Sequence, residues 1–354
     1  MKLAISELTF YKFRYALILF IVVLLASMVL FITGLAQGLA RENVSMLNGF
    51  QTDRYVVQKD SENLLEKSRF TPETQAEIEK VTEDQPIKIA QVSTKFNDYK
   101  EDMLFTNIPK KEWPQLEKGE YPQNEREVVL NSKLKGEGIQ VGDWIQIPER
   151  DQKIQVVGFF DHAMHSHANV AMMTDEGLTQ VAGKQIATAV YPLHDSGKAT
   201  VTELESIDGV KVVTKDDLKA AIPSYQAEQL PLNMMVVSLF VITAIVLTAF
   251  FYVMTIQKTP EIGILKAVGI KTGHLLWALI LQILFITMLG VLIGIGLVVG
   301  LSMFLPATMP FIVTPTLIML TIVIFIFVTL VGALLSFIRV YRIDPIEAIG
   351  GGVA

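Results

Sequence analysis

The sequence predicts an α-helical membrane protein with four transmembrane helices and a large extracellular α/β domain inserted between helices 1 and 2. Three observations predict it. The 354-residue chain is 51% hydrophobic but only 19% charged, with a mean hydropathy of +0.42. Its charges are segregated: Ala16–Leu39, Pro231–Gln257 and Leu275–Ile338 hold no ionisable Asp, Glu, Lys, Arg or His. A long polar stretch separates the first run from the second. About 20 apolar residues span a hydrocarbon core of roughly 30 Å. The last run covers 64 residues, too many for one crossing, and Pro306, Pro310 and Pro315 divide it into two.

The elements follow in order. Residues 1–14 form an amphipathic cytosolic segment and 15–40 the first transmembrane helix. That run is too long for a signal peptide, and Gly34–Ala40 is a poor cleavage site. Residues 41–230 form the extracellular domain. Residues 231–257 are the second span, 258–274 a cytosolic helix, 275–304 the third span, 305–315 an extracellular loop, 316–338 the fourth span and 339–354 the C-terminus.

Orientation rests on the short loops. Lys2, Lys12 and Arg14 precede the first span. Lys258, Lys266 and Lys271 lie between the second and third, and Arg339 and Arg342 follow the fourth. These ends belong in the cytosol, so both termini are inside and the multi-pass protein sits in a bacterial plasma membrane. The insertion, with a net charge of −10, faces out. The acidic balance belongs to that domain and gives no reason to expect nucleic acid. With no cysteine, the chain has neither a disulfide nor a thiolate ligand.

Within the insertion, Arg54–Gln58 reads as a strand. Thr71 and Pro72 mark the N-cap and first turn of a helix reaching Val81. Glu127–Leu130, Trp144–Ile147, Ile154–Phe160 and Asn169–Met173 alternate as strands. Thr200–Ile207, Val210–Val213 and Lys215 to about Glu228 read as helix, strand and helix. The last of these runs almost directly into the second span.

The segment Lys258–Thr272 is the most specific signal. Thr259 suits a cap, Pro260 the first helical position, and Glu261 the positive end of the helix dipole. Ile262, Leu265 and Val268 make an apolar stripe at i+3 spacing, and Gly269 ends the helix. At 1.5 Å per residue it is ~13 Å long. It either offers a soluble partner a helix for a groove or rests on lipid.

Catalytic motifs are absent. The chain has no phosphate-binding Gly-x-x-x-x-Gly-Lys-Ser/Thr loop, no Ser nucleophile elbow and no His-Glu-x-x-His. With no ionisable residue inside the spans, a proton-coupled carrier is disfavoured. The chain is not an enzyme, and any energy must come from another subunit. His162, His165 and His167, with Asp161 and Met164, Met172 and Met173 nearby, make a copper or zinc site conceivable. Alternation puts His165 and His167 on one strand face, and an exposed polar strand end is the favoured reading. Gly34/Gly38, Gly290/Gly294 and Gly296/Gly300 are Gly-x-x-x-Gly pairs that permit close helix approach, to this chain or to a second copy.

Glu261–Gly269 resembles the cytosolic coupling segment of FtsX/MacB-type ABC transporter permeases. Ile343–Ile349 is similar to that family's C-terminal ending. Glu120-Tyr-Pro122, Glu127–Val129 and Val141-Gly-Asp143 resemble its external core, and the order of one helix, external domain and three helices matches. Gly34–Leu39, Ser224–Met235 and Asp344–Gly351 are similar to the heme-exporter permeases of Gram-positive bacteria within that family.

The resemblance implies a type VII exporter that moves heme out of the membrane by mechanotransmission. It implies a homodimer in a 2:2 complex with a separate ATPase, which holds ATP and Mg; the chain has no cofactor of its own. ATPase coupling would fall on Glu261, Ile262, Gly263, Leu265 and Lys266. Heme is flat and apolar with two carboxylates. A site for it near the outer leaflet would draw on Glu42, Met46 and Phe50 after the first span and on Tyr225, Glu228, Met234 and Met235 at the start of the second. The same architecture serves permeases for antimicrobial peptides or lipoproteins, and signalling permeases that move nothing.

Overall fold

The computed structural model describes residues 12–161, 163–183, 188–306 and 309–341, the side chains of 335–341 excepted. The start of the N-terminal segment, His162 and the Ile343–Ile349 motif lie outside the described residues. In chain order the helices are α1 (Lys12–Gly49), α2 (Pro72–Thr82), α3 (Asp175–Ala182), α4 (Lys198–Ser206), α5 (Lys215–Ala221), α6 (Pro223–Gln257), α7 (Thr259–Ala267), α8 (Thr272–Ser302) and α9 (Pro315–Tyr341). The strands are β1 (Arg54–Gln58), β2 (Lys88–Phe96), β3 (Tyr99–Asn107), β4 (Leu116–Gly119), β5 (Glu127–Asn131), β6 (Trp144–Ile147), β7 (Gln152–Phe160), β8 (Met164–His165), β9 (Ala168–Met173), β10 (Tyr191–Pro192) and β11 (Val210–Thr214). They form two compact units. A helical unit holds the chain up to Gln37, Pro231–Leu305 and the chain from Phe311; an α/β unit holds Gly38–Leu230 and Pro306–Pro310.

Among the described residues, α1, α6, α8 and α9 are the four helices long and apolar enough to cross a membrane. Tyr15, Ile18, Val22, Ala26 and Val29 recur every three or four residues along α1. They share one core with Leu247 and Phe251 of α6, Ile283, Ile286 and Val291 of α8, and Phe325 of α9. A Cβ on Gly290 would stand 2.6 Å from Val22 Cγ1, and one on Gly294 3.0 Å from the Ala26 Cβ. That glycine pair therefore serves close packing of α8 on α1 within this chain. Gly296 and Gly300 meet nothing within 4 Å.

In the α/β unit, a three-stranded antiparallel sheet runs β10-β1-β11, and a larger mixed sheet runs β3-β2-β6-β7-β5-β9-β8. Alternation along β5 sets its two faces. Val128 and Leu130 join Phe105, Val156 and Phe159 beneath Leu178 and Val181 of α3. Val129 faces the opposite core with Leu104, Phe160 and Met172, beside Val44, Met46, Leu47 and Phe50 of the last turns of α1. At Gly119, φ is +89° and a Cβ would strike the Val157 carbonyl oxygen at 2.1 Å, so β4 closes on β7 only with glycine there.

Helix α2 is capped as expected, the Thr71 side chain accepting from the Thr74 N–H. Three expectations are corrected. The helix from Lys215 ends at Ala221 rather than Glu228, and Pro223 opens α6, which absorbs Ser224–Leu230 and runs unbroken to Gln257 with Pro231 inside. The β2–β3 hairpin, nine paired positions from Lys88↔Asn107 to Phe96↔Tyr99, was not expected. Helix α7 is N-capped by Lys258 with no side-chain cap bond, not by Thr259.

Candidate functional site

The first candidate region is α7, in the helical unit. Its first-turn Pro260 and Glu261 fit the N-terminus. At its end the Ile270 N–H donates to the Leu265 carbonyl at 3.1 Å, past Gly269 at φ +97°. The i+3 stripe is divided between two surfaces. Ile262 is buried with Leu275, Leu276 and Leu279 of α8, Leu265 packs against the same cluster, and Gly263 is buried too. Ile264 is 53% exposed and Val268 77%. Of the residues expected to couple, Ile262 and Leu265 thus turn toward α8 and Gly263 is buried, and the apolar surface left open is Ile264 and Val268. Glu261 and Lys266 are half-buried.

Lys258, read from sequence as a cytosolic cation, is only 2% exposed. Its Nζ donates to Gln282 Oε1 at 2.7 Å and lies 5.6 Å from the centroid of the Tyr15 ring. Gln282 Nε2 donates in turn to the Tyr15 hydroxyl at 2.6 Å.

The second region lies in the α/β unit, where two of the expected heme contacts meet. His167 Nε2 is 2.8 Å from Glu228 Oε1, and its Nδ1 is 3.4 Å from Glu42 Oε2. Asn43 Nδ2 donates to Glu228 Oε2 at 2.9 Å. Lys133 pairs with Glu42, and the Ser224 hydroxyl donates to Asn43 Oδ1. Both ring nitrogens of His167 face carboxylate oxygens, so the pairing is complete only when the ring carries both protons. The arrangement gathers three elements: the last turns of α1, the β8–β9 turn and the first turns of α6. Backbone bonds fix the turn, Ser166 N–H donating to the Asn43 carbonyl at 3.0 Å and His167 N–H to the Glu42 carbonyl at 3.3 Å.

The other heme candidates are placed differently. Met46 and Phe50 are buried in the core beneath the large sheet, with Tyr225 packed against it. Met234 and Met235, in the helical unit, are exposed on α6. His165 and His167 do not share a strand face. Ser166 and His167 take left-handed conformations, φ +49° and +64°, in a tight turn that sends His165 inward to Glu66 at 2.7 Å. Among the described residues no group of His, Asp and Glu is arranged to hold a metal, and His162 lies outside them. A separate cleft of about 1270 Å³ is lined by Asp84, Trp113, Tyr121 and Asp175; none of the residues expected to couple or to meet heme lines it. Sequence reasoning missed Asn43, Lys133 and Lys258.

The FtsX-like permease C-terminal family matches residues 233–345. The chain is 46% identical to the "Putative hemin transport system permease protein HrtB" of Staphylococcus haemolyticus, over 99% of both chains. It is 46% identical to the protein of the same description in Staphylococcus epidermidis strain ATCC 12228, over 99% of this chain and all of that one. An uncharacterised ABC transporter permease of Mycobacterium tuberculosis strain H37Rv is 24% identical over 67% of this chain and 65% of its own length. The solved extracellular domain of noncanonic ABC-type transporter YknZ, from Gram-positive bacteria, is 12% identical, with a TM-score of 0.34 over 46% of this chain and all of that one.

Proposed function

This chain belongs to the FtsX-like permease family of ABC transporters, and from that premise we propose that it is the permease of an exporter that removes excess heme from the cell membrane. The observation that carries the reading is the 46% identity, end to end, with staphylococcal proteins described as hemin transport permeases. The work is supplied by a separate ATPase of the HrtA type, which holds ATP and Mg; this chain has no phosphate-binding loop. Two permease copies pair with two ATPases, and the α/β unit faces out with both termini in the cytosol.

Ile264 and Val268 dock in a groove on the ATPase. When ATP closes the ATPases, α7 moves and α6 carries the motion to its own first turns, where Tyr225 and Glu228 stand. Within the α/β unit, Glu42, Tyr225 and Glu228 are the groups that would meet heme, and Met46 and Phe50 join them only if the core at the end of α1 opens; Met234 and Met235 are the candidates within the helical unit. Squeezing that region expels the ligand without a channel through the bilayer.

Deleting the gene should sensitise cells to added hemin, and unchanged tolerance removes the substrate. Protein purified from hemin-fed cells should carry a Soret band that shifts or weakens when Glu42, Tyr225 or Glu228 is replaced. A colourless protein favours a peptide or lipoprotein cargo, and an ATPase cycle that moves nothing into vesicles favours signalling. Val268→Asp should abolish ATPase co-purification and leave the Soret band unchanged.

A further inference from the structure

We propose that Lys258, Gln282 and Tyr15 form a polar pin that makes the docking helix α7, the third span α8 and the first span α1 move as one body. Lys258 is then a positioning residue of the transport cycle. The inference rests on the reading of α7 as an ATPase docking element.

An ammonium group taken out of water is costly unless hydrogen bonds and a nearby π face or counter-charge replace its hydration. Here Lys258 is 2% exposed, in a unit whose core is largely apolar. An apolar residue would fill the space at less cost, so the group's value lies in direction. Every link of the pin has a fixed sense. The ammonium only donates, so Gln282 must present its oxygen to Lys258; its amide nitrogen then points at Tyr15 and donates to the hydroxyl. The Tyr15 ring also offers its π surface to the ammonium. An amide flip would set the amide N–H groups against the ammonium and break the Lys258 bond, and the Tyr15 hydroxyl would have to turn from acceptor to donor.

The position of Lys258 gives the pin leverage. Its N–H donates to the Thr255 carbonyl at 3.2 Å, and its carbonyl accepts from the Ile262 N–H at 3.0 Å. The residue therefore closes the last turn of α6 and opens the first turn of α7. The apolar contacts of Ile262 and Leu265 join α7 to α8. The pin adds α1. A push on Ile264 and Val268 must then carry α1 and α8 along, or break the pin and leave a buried ammonium without these partners.

The test uses the full-length permease purified with its ATPase. The variant Tyr15→Phe/Lys258→Met/Gln282→Leu removes all three polar groups at once, so none of the three is left without the other two, and thermal unfolding checks that the bundle remains folded. ATPase co-purification and ATP hydrolysis should stay within twofold of the unaltered complex, because the docking face is intact. Hemin exported per ATP hydrolysed should fall at least tenfold. Gln282→Glu keeps an acceptor for the ammonium and should retain coupling. A triple variant whose export per ATP stays within twofold overturns the proposal.

A second readout does not depend on cargo. The chain has no cysteine, so spin labels can be placed on Leu24→Cys in α1 and Leu292→Cys in α8. Their separation should stay constant through the nucleotide cycle in the unaltered complex and become nucleotide-dependent in the triple variant, and a separation that stays constant in the triple variant also overturns the pin. Should the unaltered complex move no hemin, the proposed substrate falls while the label distances still decide the pin.

Discussion

His167 and His194 are each held between two carboxylates in the α/β unit, and the two clamps differ in what surrounds them. His194 Nδ1 is 3.0 Å from Asp84 and its Nε2 2.8 Å from Glu112. The Glu112 side chain is 0% exposed and also accepts from the backbone N–H groups of Gln51 and Thr52, just past the end of α1. That clamp ties the helix exit to the domain, with both carboxylates enclosed. The His167 clamp holds Glu228, whose side chain is 33% exposed, together with Glu42 from α1. The same three groups serve as a fixed joint in one place and an accessible contact in the other. Burial, not chemistry, separates structural from functional candidates here.

The largest effect should come from the enclosed clamp. Glu112→Ala strands His194 and two backbone donors, and breaking a buried charged set of this kind costs about 3–5 kcal/mol. Thermal unfolding of the purified protein in detergent should show it as a large loss of stability. A variant that melts with the parent would mean that Glu112 is not the joint described.

The accessible clamp should respond the other way round. His167→Gln should cost stability only about 1 kcal/mol, the worth of an ordinary hydrogen bond. It should alter hemin affinity at least fivefold by releasing Glu42 and Glu228. His194→Gln should leave hemin affinity unchanged. Hemin titrations followed in the Soret region separate the two, and equal responses from both histidines would erase the distinction.

The same contrast explains what was legible in the sequence. Long uncharged runs announce α1, α6, α8 and α9, because a bilayer constrains length and polarity together. Thr71 and Pro72 announce α2. The β2–β3 hairpin was hidden: Gln91, Lys95, Glu101 and Asp102 interrupt its apolar pattern, and it turns on Asn97 at φ +53° without a glycine. The stripe Ile262, Leu265 and Val268 marked α7, but spacing alone does not say which side of a short helix the bundle covers. His167 was visible only as a conceivable metal ligand, and its pairing with Glu42 and Glu228 was hidden because these lie 125 and 61 positions away. Lys258 misled for a different reason. A lysine at the end of a span reads as a surface anchor, and its inward partners, Gln282, 24 positions on, and the Tyr15 ring of α1, are not adjacent in sequence.

The smallest expected effect is the pH response of the enclosed clamp. Burial alone would raise the Asp84 carboxyl, but the hydrogen bonds from Lys111 and His194 outweigh it and hold the group below its ordinary value of 3.8. A carboxyl lowered by folding contributes stability that is full above its unfolded value and lost as pH falls through its folded value. The α/β unit should therefore lose stability on acidification below about pH 4, not on approach from the alkaline side. Glu66 adds to the same limb: burial would raise it, but the hydrogen bond from His165 leaves it below 4.5. Asp84→Asn removes the enclosed contributor and should make the acid limb of the unfolding midpoint shallower, and His194→Gln should shallow it less, since Lys111 still holds Asp84 at 2.9 Å. An unchanged limb in Asp84→Asn would show that the enclosed clamp binds its proton alike in folded and unfolded chains, and the joint would then owe its strength to Glu112 and the backbone of Gln51 and Thr52.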